Sequence, residues 1–561
     1  MSSVVRDRPQ FPGSIAQLFR QFLAAGPEIS VETLTLVAAA FFTLFCNTAF
    51  FREVISLGAL HGARGIGTGA SLVVMIGALN MLLLCVLLNR WTAKPLLTVL
   101  LLVTAVASHF MSQYTVYLDA DMLRNILHTD GKESGELISF GMVPSLLVLG
   151  VLPSLLLWRV RLRRRAPGRA TLLRLGCIVL AGVVASGAAL ASFQDLSALM
   201  RNHREVRHLI TPGNYIVSLV RVMRDDQAGR NRPRTPVGTN ARVIGRPADA
   251  RPRLLVLVVG ETVRAQNWGL NGYARDTTPQ LRQIAPINFR NMTSCGSATE
   301  VSVPCMFSPY GRANYDKDKI NHSETLLHVL EHAGIGTLWR DNQTGCKGVC
   351  EGLAFESFEH ASDPQSCTEE GCMDEVMLKG LSEAVARNPG DMVVVLHQLG
   401  NHGPSYYKRY PPSLRRFTPT CETSELGKCS RAQIVNAYDN AVLHTDDFLA
   451  RTIRMLAEQS GRDTAMIYLS DHGESLGENG LYLHGIPYAI APDTQTRVPM
   501  VMWLSPGMAA SRGIDQSCLK RESNAPASQD NLFHSVLGLM QVSTPEYNPR
   551  LDLFHGCTSR G

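Results

Sequence analysis

The sequence predicts a membrane domain of five α-helical spans followed by an α/β sandwich built on a mainly parallel sheet. Three observations carry that prediction. Nearly all long apolar runs of the 561-residue chain fall before residue 195. Ten of its 13 cysteines fall after that point, eight of them as close sequence pairs. From residue 254 onward, short Val/Leu-rich runs alternate with helix-like stretches, which is how buried parallel strands read. A chain this long exceeds one domain. It divides into residues 1–194 with the five spans, 195–252 as a membrane-surface helix and linker, and 253–561 as a soluble domain.

The first 33 residues carry Arg6, Arg8 and Arg20, and the first apolar run starts late without a small-residue cleavage site. No cleavable signal is therefore expected. The spans are Leu34–Phe51, Ala70–Asn89, Leu96–Tyr117, Phe140–Trp158 and Leu172–Ser192, each near the length that crosses a bilayer. Pro144 and Pro153 blur the ends of the fourth without forbidding it. Loop charge sets orientation. The fourth loop holds Arg159, Arg161, Arg163, Arg164, Arg165, Arg169 and Arg174, and the second holds Arg90 and Lys94. The third instead sets Asp119, Asp121, Asp130, Glu133 and Glu136 against Arg124 and Lys132. The positive-inside rule puts the N-terminus and loops two and four in the cytoplasm, and everything after Ser192 outside. Paired cysteines point independently to an oxidising compartment. The formal net charge of +6 thus reflects membrane orientation, and no basic patch interleaved with aromatics marks a nucleic-acid partner. Residues 195–224 read as a partly amphipathic helix on the membrane surface. Residues 225–252, rich in Arg, Pro, Gly and Asn, read as a linker.

In the soluble domain the strand candidates are Leu254–Val259, Gly336–Trp339, Met392–Leu396, Ala465–Leu469 and Pro499–Leu504. Polar residues gather at their C-terminal ends, where open α/β sheets bind ligands. The first run ends at Glu261, another at Asp471 and His472, a third near His397 and His402, and His484 follows in L-Y-L-H-G. Each alone reads as a surface charge or a hydrogen-bonded bystander. Together, carboxylates and imidazoles at one sheet edge suit zinc or manganese. The stretch S-C-G-S-A-T-E-V-S-V-P-C-M-F-S brackets Thr299 between Cys295 and Cys305. Ser294, Ser297 and Thr299 are candidate N-caps, and a hydroxyl on that turn lies in the positive field of a helix end. Alone the stretch reads equally well as a stapled cap. Beside a divalent metal, Thr299 becomes an activated nucleophile. A zinc–cysteine site is the rival for the cysteine pairs, but their spacings fit zinc ribbons poorly.

G-E-T with R-x-x-x-x-x-L-x-G-Y, the cysteine-bracketed stretch, N-H-G-P-S-Y-Y and S-D-H-G-E-S-L-G-E together resemble the lipid A phosphoethanolamine transferases, a group that includes the mobile colistin-resistance enzymes. The resemblance runs the length of the chain and includes the loop L-D-A-D-M-L-R-N-I-L-H-T-D. It implies an alkaline-phosphatase-like periplasmic catalytic domain, one zinc ion and room for a second. It also implies transfer of phosphoethanolamine from phosphatidylethanolamine to lipid A through a phosphothreonine, which lowers negative surface charge and confers polymyxin resistance. Carried over by motif, Thr299 is the nucleophile and binds zinc with Glu261, Asp471 and His472. His402 and His484 serve the donor phosphate or a second zinc, Lys347 contacts the donor, and Gln343 stands where some relatives have Asn. His397 is a further candidate. A sulfatase would need C/S-x-P-x-R, whereas Ser302-Val303-Pro304-Cys305-Met306 has no Arg. A glycerol-phosphate transferase for teichoic acid shares the layout without these cysteine pairs. The alternatives that stay open are a lipopolysaccharide core sugar as acceptor and a non-catalytic metal-binding membrane sensor. A monomer in the bacterial inner membrane is expected, among inner-membrane lipids. Disulfides are expected as Cys295–Cys305, Cys346–Cys350, Cys367–Cys372 and Cys421–Cys429 by proximity, and Cys518–Cys557 by elimination.

Overall fold

The computed structural model describes residues 26–559, apart from 59, 61, 129–134, 136, 231, 232, 248, 369 and 370. Arg6, Arg8, Arg20, Asp130, Lys132, Glu133 and Glu136 lie outside the described residues. The chain separates into two units, residues 1–119 with 140–218, and residues 120–139 with 219–561.

The first unit holds the spans. Gly65–Leu87, Ala93–Tyr114, Met142–Arg159 and Pro167–Ala191 are single helices long and apolar enough to cross a membrane, and Val31–Cys46 with Thr48–Ser56 reaches that length and composition only as a pair bent by 47°. The bend has a local cause. The helix widens to a π-turn over Phe42–Cys46, and the Asn47 side chain donates to the carbonyls of Phe42 (2.8 Å) and Thr211 (2.9 Å). A polar side chain thus enters the hydrogen-bond ladder where it breaks. In the fourth span Leu146–Val151 is also π-helical, just ahead of Pro153, whose ring nitrogen has no proton to give.

The second unit is built on an eight-stranded sheet: β1 Arg253–Gly260, β2 Ile287–Thr293, β3 Gly336–Asp341, β4 Phe355–Ser357, β5 Met392–His397, β6 Asp463–Ser470, β7 Arg497–Leu504 and β8 Ala527–Ser528. Their order across the sheet is β8-β2-β7-β6-β1-β5-β3-β4. Only β7 runs against its neighbours. All eight residues of β1 are buried. Leu255, Leu257 and Val259 enter the core on one face, and Leu254, Val256 and Val258 the core on the other. That period of two against two buried faces is why the run shows no polar alternation in sequence. The five expected strands are all present. Strand β2, which lies between β8 and β7, was not legible, because Asn288, Arg290 and Asn291 interrupt its apolar residues.

Three helices of this unit matter below: α1 Ala120–His128, α2 Thr299–Met306 and α3 Asp530–Leu539. Helix α1 comes from the acidic third loop, which groups with the soluble unit. Its Asp121 ion-pairs with Lys317, and the Met122 methyl fills the space a Cβ on Gly485 would need.

The expected linker at 225–252 is largely taken up by structure. A helix continues through Arg230, Val237 and Ala241 are buried in the core, and Arg242–Val243 pairs antiparallel with Val542–Ser543. Two core residues and two backbone pairs fix a segment whose composition alone suggests a tether. All five disulfides pair as expected. Cys46, Cys85 and Cys177, inside the apolar spans, are free.

Candidate active site

Strands β1 and β6 are parallel neighbours, so their C-terminal ends deliver Glu261, Asp471 and His472 to one point. Immediately after Glu261 the chain turns through Thr262, in the left-handed region at φ 63°. The Thr262 N–H donates to Asp471 Oδ1 at 3.1 Å and locks the two strand ends together.

Thr299 is the first residue of α2, and the N-cap is Ala298, whose carbonyl accepts from the N–H groups of Val301 and Ser302. None of the three candidate hydroxyls caps this helix. Ser294 donates to the Gly296 carbonyl and Ser297 to the Ile486 carbonyl, stitching the turn together. Thr299 Oγ1 instead donates to Glu261 Oε2 at 3.1 Å and lies 3.3 Å from His472 Nε2. The hydroxyl therefore sits both in the field of a helix N-terminus and within the carboxylate–imidazole cluster.

The cluster fits a divalent cation. Donor atoms of Glu261, Asp471 and His472 lie within 4.8 Å of one another, all buried. The His472 Nδ1–H faces the Gly473 carbonyl at 2.9 Å, which turns the Nε2 lone pair into the cluster. Asp471 Oδ1 accepts from the N–H groups of Thr262 and His472, while its Oδ2 is buried without a hydrogen-bond partner. Charge balance agrees. Burial alone would pull His472 down, but Asp471 and Glu261 push it up to about 10. Burial and the Glu261 charge raise Asp471 to about 7. Two carboxylates buried side by side favour a positive charge at this point, which a protonated His472 supplies alone and which a divalent cation held by the neutral imidazole would supply in its place.

His402 and His484 join this cluster. The His484 ring lies 4.3 Å from that of His472 and 5.7 Å from that of His402. On the Glu261 side, Gln343 Nε2 is 3.5 Å from Glu261 Oε2. Lys347 is held by Glu300 at 3.2 Å and by the Thr344 hydroxyl at 2.6 Å. His397 stands apart. It is fully buried at the end of β5, with Nδ1 2.8 Å from Asp341 Oδ2. The other Asp341 oxygen accepts from the N–H groups of Gln343 and Gly345. His397, a further candidate from the sequence for the donor phosphate or a second metal, thus supports from beneath the loop that carries Gln343 and Lys347.

The sulfatase family matches residues 253–542, and the family described as phosphoethanolamine transferase EptA/EptB matches residues 75–227. The chain is 38% identical over 548 residues to phosphoethanolamine transferase EptA of Escherichia coli K12, covering 95% of this chain and 98% of that one. It is 40% identical over 489 residues to phosphatidylethanolamine transferase Mcr-1 from Escherichia coli, covering 84% and 90%. The integral membrane lipooligosaccharide phosphoethanolamine transferase A of Neisseria meningitidis superposes with a TM-score of 0.90 at 38% identity, covering 95% of this chain and 99% of that one. The chain belongs to the phosphoethanolamine transferase family. The sulfatase match falls on its soluble unit, and the transferase match falls on the region that carries most of the apolar helices.

Several residues of this transferase that shape the site escaped sequence reasoning. Glu474 is fully buried, accepts from Tyr406 and lies 2.8 Å from His484 Nδ1, so it orients that ring. Its signal was its place in S-D-H-G-E, two residues after a strand-end His. Gln529 donates to the carbonyls of Ser470 (2.8 Å) and Asp471 (2.7 Å) and accepts the Cys295 N–H (2.6 Å). It ties the strand end that carries Asp471 to the turn before Thr299, and nothing local in sequence marks it. Gly400, at φ 52°, packs where a Cβ would lie 2.9 Å from the Glu261 carbonyl oxygen.

Proposed function

We propose that this transferase moves phosphoethanolamine from phosphatidylethanolamine to lipid A, through a covalent phosphothreonine at Thr299. Glu261, Asp471 and His472, with Thr299, would hold zinc, and His402 and His484 would serve the phosphoryl group or a second ion. The observation that carries this reading is the Thr299 hydroxyl at the start of α2, 3.1 Å from Glu261 and 3.3 Å from His472. Zinc at such a site lowers the pKa of a bound hydroxyl and offsets charge on a phosphoryl group.

The chain's own residues supply the rest. Thr299 Oγ1 attacks the donor phosphorus, and the bond from phosphorus to the diacylglycerol oxygen breaks. The Thr299 proton already lies toward Glu261. His402 and His484 face the same space, placed to protonate the departing diacylglycerol oxygen and then to accept a proton from the incoming lipid A group. Attack by that group on the phosphothreonine restores Thr299. The N–H groups of the first turn of α2 face developing negative charge. The charge pattern of the loops and the five disulfides support an inner-membrane protein with this unit in the periplasm. Each transfer adds an ammonium to the cell surface, which weakens attraction for cationic peptides such as polymyxin. Mass spectrometry of lipid A from cells with and without the gene tests the reading. Lipid A should gain one or more phosphoethanolamine groups. Unmodified lipid A, or the group found on a core sugar, would contradict the assigned acceptor.

A further inference from the structure

A guanidinium is held at the edge of the nucleophile turn with no established task. The Arg312 guanidinium carbon lies 3.9 Å from the ring centre of Tyr488 and 4.8 Å from that of Tyr315. One of its N–H groups donates to the Cys295 carbonyl at 3.3 Å. Among the described residues no carboxylate forms an ion pair with it. Its turn is rigid. Gly311 has φ 59°, with the Asp530 carboxylate occupying its Cβ position, and Asp530 accepts from the N–H groups of Arg312 (2.6 Å) and Ala313 (3.1 Å).

The same elements frame Thr299. The Tyr488 hydroxyl donates to the Ser294 carbonyl at 2.9 Å, and the Gly485 N–H donates to the Ser297 carbonyl at 2.7 Å. Residues 294–299, 484–488 and 312–315 therefore form one stitched rim. The nearby cation Lys317 is engaged by Asp121, whereas the Arg312 guanidinium has no such ion pair among the described residues. A guanidinium beside aromatic rings keeps its in-plane N–H groups for bonding, and their fork matches two phosphate oxygens.

We propose that Arg312 anchors a phosphate of the acceptor, a phosphorylated glucosamine lipid, beside Thr299. This rests on the transfer reaction above. The donor phosphate goes to Thr299 itself, so a second fixed cation at the rim suits a second anion. A stack serving only to clamp two loops is the competing role, and the two differ in what they do to acceptor kinetics.

The test uses full-length protein in detergent micelles. Diacylglycerol release from fluorescent phosphatidylethanolamine without acceptor reads the first half-reaction, and transfer to bis-phosphorylated lipid A reads the whole. Arg312→Gln should raise the KM for lipid A at least tenfold while kcat and diacylglycerol release change less than threefold. Arg312→Lys, which keeps charge but loses the fork, should fall between. Unchanged lipid A KM in both variants, or a parallel loss of kcat and diacylglycerol release, would overturn the proposal. No diacylglycerol release from the unsubstituted protein would instead defeat the transfer reaction on which it rests.

Discussion

Glu261 is the residue on which the site converges. One oxygen accepts from the Thr262 hydroxyl and the other from Thr299, and His472 lies 3.4 Å away. A carboxylate so enclosed suits a shared cation, and in the proposed mechanism this one side chain would tie such a cation to Thr299. Away from the site, His534 in α3 gives the residue-scale test of stability. It is buried and accepts the Asn548 N–H at 3.1 Å, and burial pushes it down to about 4 although Asp530 opposes. A folded pKa below the usual 6.5 means the unfolded chain binds the proton more tightly. The stability is then fully present above about pH 6.5 and is lost as pH falls toward 4, by about 3 kcal/mol. His534→Gln should flatten that acid limb in unfolding measurements of the soluble unit, and an unaltered slope between pH 4 and 6.5 would contradict the assignment. Glu261, Asp471 and His472 were legible because each ends an apolar run at a strand terminus. Gln529 was not, since its bond to the Asp471 carbonyl joins residues 58 apart and no periodicity records such a contact.

At the scale of elements, the loop after β5 shows how tightly backbone and site are coupled. Buried Asp374 accepts from the N–H groups of Leu399 (2.9 Å) and Gly400 (3.1 Å), fixing that loop against the end of β1. Gly400 has both a left-handed conformation and no room for a side chain. Gly400→Ala should cost about 1–2 kcal/mol from backbone strain. It should also displace Glu261 and lower zinc affinity at least tenfold, read by competition with a chelator. Normal zinc affinity in that variant would show that the contact does not position the ligand. The five main strands were legible from Val/Leu-rich runs without alternation. The N-cap of α2 was not, because the hydroxyls that favour capping are taken by the Gly296 carbonyl, the Ile486 carbonyl and Glu261, and Ala298 is left to cap through its backbone.

Over the whole molecule, the division into spans and a soluble unit was plain from where apolar runs and cysteines fall. The boundary was less plain, because part of the apparent linker and the third loop both belong to the soluble unit. Composition records solvent exposure on average, and it hides a short segment that contributes only two core residues. In the proposed transfer, donor and acceptor are both lipids and Thr299 belongs to the soluble unit, so the complete chain is expected to be required. The most direct test is to incubate full-length zinc-loaded protein with phosphatidylethanolamine labelled in its ethanolamine group, quench before acceptor is added, and map the labelled peptide. The label should sit on Thr299, leave the protein when lipid A is supplied, and be absent from Thr299→Ala. Label on another residue, or full transfer to lipid A by Thr299→Ala, would contradict the covalent mechanism.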